Sequence, residues 1–89
     1  MELLITEELI SICKYILDQN LTQEEWMKRY SDDAIQTNHF CGGFDAIEKE
    51  FTFSYYDEAN NEFWFQITLD EVRDIVNGNI NFIKIRPAE

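Results

Sequence analysis

The chain has one proline, three glycines and two cysteines in 89 residues, and only seven basic side chains against 18 acidic ones. So little proline and glycine leaves no room for a long flexible linker, and no low-complexity stretch or internal repeat is visible. A single small domain over residues 1–89 is therefore expected. No apolar run approaches the roughly 20 residues that a membrane-spanning helix needs. The stretch Met1–Glu8 carries no base and breaks its apolar run with acids, unlike a secretory signal. Cys13 and Cys41 lie far apart and match no metal or redox spacing, so a reduced, cytoplasmic protein is expected.

The shortage of bases leaves a formal net charge of −11. Self-repulsion on that scale destabilises a compact chain, and a positively charged partner would offset it. It argues against direct binding to nucleic acid or to an anionic membrane, because both are polyanions. A disordered acidic tail is a poor fit as well. Seven Phe, four Tyr and two Trp supply the large side chains that a small core requires.

Three helix starts share one grammar. In Thr22-Gln23-Glu24-Glu25 and again in Thr68-Leu69-Asp70-Glu71, the hydroxyl can cap the glutamate N–H while the glutamate reaches back. Leu21 with Trp26, and Ile67 with Val72, stand at the hydrophobic-staple positions. Thr6 precedes Glu7 and Glu8, acids suited to the positive end of a helix dipole. The spacing predicts helices over roughly 6–19, with Leu9, Ile10, Ile12, Cys13, Ile16 and Leu17 on its stripe, over 23–30, with Trp26, Met27 and Tyr30, and over 69–77, ending at Gly78.

Between the second and third helices the period changes to two. Phe51, Phe53 and Tyr55 alternate with Thr52, Ser54 and Tyr56; after Asp57–Asn61, Phe63, Phe65 and Ile67 alternate with Glu62, Trp64 and Gln66. This pattern predicts a β-hairpin with one apolar face. A last strand is expected over 80–85, brought back by the third helix through a right-handed crossover. The expected fold class is α+β, in the order ααββαβ, with a mostly antiparallel three-stranded sheet of order 2-1-3 packed with helices. Residues 31–43 read as an irregular connection, with room for a short edge strand around 34–37.

Catalytic constellations are weak. His39 and Cys41 would share one face of a strand, but a thiol nucleophile also needs an orienting third group and an oxyanion site. Zinc would find three ligands at most in Cys13, His39 and Cys41, without a paired-cysteine knuckle. The acidic turn 57–62 lacks the glycine and the final acid of a calcium loop. The carboxylate pairs Glu24-Glu25, Asp32-Asp33, Glu48/Glu50 and Asp70-Glu71 with Asp74 are explained by helix capping and solvated surface. No catalytic residue, metal or cofactor is assigned.

Acids and aromatics coincide in residues 44–74, where nine acids face only Lys49 and Arg73, a net −7, beside eight aromatics. If Phe51, Phe53, Tyr55, Phe63 and Phe65 point into the core, the opposite face shows Tyr56 and Trp64 among Glu48, Glu50, Glu62 and Gln66. Large aromatics inside a charged rim have the character of a protein-binding surface, and carboxylates there would steer a basic partner. The expected partner-binding set is Glu48, Glu50, Tyr56, Asp57, Glu58, Glu62, Trp64, Asp70, Glu71 and Asp74. The competing expectation is that the first helix covers this face and makes Trp64 part of the core.

In size, acidity, aromatic content and shortage of cysteine the chain resembles bacterial immunity proteins of toxin–immunity pairs. That resemblance implies a small inhibitor that binds the electropositive surface of a basic, nuclease-like toxin. One alternative is a phage-encoded nucleic-acid mimic, with carboxylates spaced like phosphates, that blocks a DNA- or RNA-binding defence protein. Another is an adaptor that docks a basic partner without inhibiting it.

Overall fold

The helices begin where the threonines place them. In the computed structural model, which describes residues 1–29 and 35–88, α1 spans Glu7–Asp18, α2 spans Gln23–Arg29 and α3 spans Leu69–Val76. The Leu9 N–H donates to Thr6 Oγ1 over 3.3 Å at the start of α1. Thr22 and Glu25 bond reciprocally at α2, over 2.9 and 3.2 Å, and Thr68 and Glu71 do so at α3, over 2.8 and 3.1 Å. Gly78 follows α3 with φ +79°, the left-handed conformation that glycine adopts at lowest cost. Tyr30 and the pair Asp32-Asp33 lie outside the described residues.

The strands are β1 (Glu2–Leu4), β2 (Ile35–Gln36), β3 (Phe40–Asp45), β4 (Glu50–Tyr56), β5 (Glu62–Ile67), β6 (Phe82–Lys84) and β7 (Arg86–Pro87). The expected hairpin is present: β4 and β5 pair from Phe51 opposite Ile67 to Tyr56 opposite Glu62. The short edge strand expected around 34–37 is β2.

The expected three-stranded sheet of order 2-1-3 is wrong. The chain is α+β with a five-stranded antiparallel sheet of order β2-β3-β4-β5-β7 and a two-stranded ribbon, β1 with β6. The reason is that β3, read from sequence as irregular connection, occupies the free edge of β4 along its length. No place beside β4 is left for the last strand, so it turns to β5 instead. There Arg86 pairs antiparallel with Trp64, and Pro87 with Phe63. The segment just before it, Phe82–Lys84, pairs with β1, a strand the sequence reading did not foresee.

The core lies between the helices and one face of the large sheet. Phe40 and Phe44 of β3, Phe51 and Phe53 of β4, and Phe65 and Ile67 of β5 are buried there. Full burial of each such side chain stabilises by about 1.5–3 kcal/mol relative to leaving it exposed. From the helix side come Leu9, Ile12, Cys13 and Ile16 of α1 and Leu69, Val72 and Ile75 of α3. Trp26 of α2 reaches the sheet, its ring edge-to-face with Phe51 at 5.1 Å and stacked with Phe44 at 6.3 Å.

Gly42 explains how β3 fits. A Cβ at this position would lie 2.1 Å from the Thr52 carbonyl oxygen and 2.8 Å from both Phe53 Cα and its ring. The Phe53 ring occupies the space that a side chain at 42 would need. Glycine here serves close packing of a strand.

Candidate functional site: the outer face of the sheet

Strand alternation sends every second side chain away from the core. On β3, β4, β5 and β7 these residues fall into cross-strand rows. Cys41 lies opposite Ser54, Ser54 opposite Trp64, and Trp64 opposite Arg86. Neighbouring rows hold Gly43, Thr52 and Gln66 on one side and Tyr56 with Glu62 on the other. None of these residues is buried, and the helices that contact the sheet contribute to its other face.

Trp64 is half-buried and takes no part in the core cluster, which contains Phe65 and the flanking Phe63. The reading in which α1 covers it is therefore set aside. Its indole is instead covered in part by Arg86, whose guanidinium carbon sits 5.1 Å from the ring centre. Beside them β6 peels away from β5 to pair with β1, and a hollow of about 290 Å³ opens where the sheet splits. Glu50, Trp64, Gln66, Glu71, Lys84 and Arg86 line it.

The ten residues expected to bind a partner are thus only partly assembled. Glu50, Trp64 and Glu71 meet in the hollow. Tyr56 and Glu62 stand further along the same face, where the Ser54 hydroxyl donates to Glu62 over 2.9 Å. The Glu62 charge raises the Tyr56 phenol above its ordinary pKa. Asp57 is turned into its own hairpin turn: the Asn61 N–H donates to it over 2.8 Å, and that bond lowers its pKa. Glu48 is exposed in the turn between β3 and β4, at the opposite end of β4 from Asp57.

On α3 only Glu71 reaches the hollow. Asp70 pairs with Arg73 over 2.9 Å, and Arg73 lines a groove with Ile16, Leu17 and Leu21, which puts the pair on the α1 side. Asp74 is half-buried, and its main-chain carbonyl accepts the Asn79 N–H.

Glu58 belongs to a different cluster. His39 has Nδ1 2.8 Å from Glu8 Oε1 and Nε2 3.3 Å from Glu58 Oε1. Glu8 also accepts the His39 main-chain N–H over 2.9 Å and the Thr37 hydroxyl. The bond to Glu8 raises the His39 pKa, reinforced by the charges of Glu8 and Glu58 against a smaller effect of burial. Partial burial pushes the Glu8 carboxyl up, but the bonds from Thr37 and His39 outweigh it and hold the group below its ordinary value. Both ring nitrogens of His39 therefore face carboxylates, so the imidazole is not directed at Cys41.

Cys13 is buried in the core and Cys41 exposed on the outer face. Among the described residues no group of three His, Cys, Asp or Glu side chains is placed to hold a metal ion, and no helix is long and apolar enough to cross a membrane.

Sequence reasoning missed the two bases of this face. Phe82, Lys84 and Arg86 alternate with the buried Ile83 and Ile85, a period of two that was legible in the last strand. What it lacked was the register that brings Arg86 onto Trp64.

No family model, curated protein or solved structure matches the chain.

Proposed function

We propose that the chain is a small acidic protein-binding inhibitor that uses the outer face of its five-stranded sheet to neutralise a basic protein. The observation that carries this reading is the half-buried Trp64, held outside the core and bordered by Glu50, Glu62 and Glu71 on a face over which no described helix lies. An aromatic anchor with a charged rim is the usual anatomy of an interface hot spot. The net charge of −11 supplies long-range steering toward a basic surface.

The toxin of a toxin–immunity pair fits that description best. A nuclease grips phosphate with an electropositive site, and an acidic face with an aromatic anchor can occupy such a site or block access to it. The interleaving of Lys84 and Arg86 with Glu50 and Glu71 favours this reading over a mimic, which would present an unbroken row of carboxylates.

The test is capture of a basic protein from the native host, followed by assay of that protein with and without the chain. Wild type should retain it at low salt, release it as salt rises, and suppress its activity; Trp64→Ala should retain far less. Failure to retain any basic protein at low salt overturns the reading. Retention without loss of the partner's activity points to an adaptor instead.

A further inference from the structure

Resting on the function just proposed, we infer that the hollow beside Trp64 is the seat for an arginine of the basic partner, and that Arg86 covers only its indole wall in the free protein. Arg86 shows what the seat accepts: a planar guanidinium lies over the indole at 5.1 Å. Arginine suits such a position better than lysine because its flat, weakly hydrated cation stacks on aromatic faces.

Arg86 uses only part of what the hollow offers. It is exposed, and it is carried by a strand of two residues with two ladder partners. Glu50 and Glu71 line the same hollow, yet among the described residues neither forms an ion pair with Arg86 or with Lys84. Glu71 commits Oε1 to the Thr68 N–H, and the Glu50 carboxylate, whose main chain pairs with Asp45, accepts no hydrogen bond from the described residues. A guanidinium has five N–H donors in a fixed fork, two of which can bond one carboxylate while others remain for a second. An arginine entering from a partner can therefore combine the indole stack with two carboxylates that Arg86 leaves unused. Arg86 would swing out from its exposed position as it enters.

The second tryptophan provides an internal reference. Trp26 is buried on the opposite side of the sheet, 2% exposed, so its indole N–H should not respond to a ligand on the outer face. The experiment is an NMR titration of the ¹⁵N-labelled chain with acetyl-Gly-Arg-Gly-amide, and with the same peptide carrying neutral citrulline. The arginine peptide should move the Trp64 indole resonance saturably and leave that of Trp26 in place. Arg86→Ala and Arg86→Gln should each tighten this response about two- to fivefold, the factor set by loss of an exposed cation–π competitor. Glu50→Gln should weaken it.

An equal response to citrulline, or no tightening in either Arg86 variant, overturns the seat. Its failure is separable from that of the function proposed above. A basic protein that is captured and inhibited, but binds both Arg86 variants no more tightly than wild type, would sink the seat and leave the inhibitor standing.

Discussion

Glu8, in the first turn of α1, holds the imidazole of His39, 31 residues further along the chain, over 2.8 Å. The pair sets a pH window for stability. His39 has a raised pKa in the folded state, so its contribution is full below the unfolded value near 6.5 and is lost as pH rises through the higher folded value. Glu8 is lowered, so its contribution is full above the unfolded value near 4.5 and is lost as pH falls through the folded one. Both are present together between those two unfolded values. His39→Gln should flatten the alkaline limb of a plot of melting temperature against pH. An unchanged alkaline limb would show that the bridge contributes nothing.

Gly42 tolerates no side chain. The Thr52 carbonyl oxygen, 2.1 Å from where a Cβ would stand, is main chain and cannot turn aside. Gly42→Ala should therefore destabilise at the upper end of the overpacking range, about 3 kcal/mol or more, by forcing β3 away from β4. The urea midpoint reads this directly, and a shift within experimental error would refute it.

The two tryptophans should separate stability from binding. Trp26→Ala removes a ring packed on Phe44 and Phe51 and should cost about 3–5 kcal/mol. Trp64→Ala, on the outer face, should cost clearly less than Trp26→Ala, about 1–2 kcal/mol for a half-buried ring and its contact with Arg86. It should nonetheless greatly reduce partner capture. A large fall in melting temperature for Trp64→Ala would contradict its placement on the outer face.

The cysteines should differ sharply in reactivity. Burial pushes the Cys13 thiol up to about 12, so it stays protonated and shielded in the folded chain. Cys41 is exposed. A chromogenic thiol reagent at neutral pH should titrate one group quickly and the second only on unfolding. Two fast groups would place Cys13 outside the core.

The helices were legible because each starts at a threonine whose partners lie within three residues, and local chemistry suffices to set them. The β4–β5 hairpin was legible for the same reason: its alternation and its turn are adjacent in sequence. β3 was not, because Gly42 and Gly43 have poor strand propensity, and Gly42 fits only against Phe53 of the next strand. At the site, the period of two put Glu50, Tyr56, Glu62 and Trp64 on one face, where they lie, but also Glu48, which stands in the turn between β3 and β4. Arg86 over Trp64 and Glu8 beside His39 depend on register and on packing of distant segments, which no local window contains.

The ribbon of β1 and β6 has a mechanical consequence. Glu2 lies opposite Lys84 at one end of the ladder and Leu4 opposite Phe82 at the other, and just beyond the first pair the Met1 carbonyl accepts the Ile85 N–H. Tension applied through Met1 and Ala88 therefore loads the Met1–Ile85 bond first and then opens the ribbon like a zipper, one rung at a time. The same pull lifts Arg86 and Pro87 from β5. Pulling Met1 and Ala88 apart should uncover Trp64 before the aromatic core gives way.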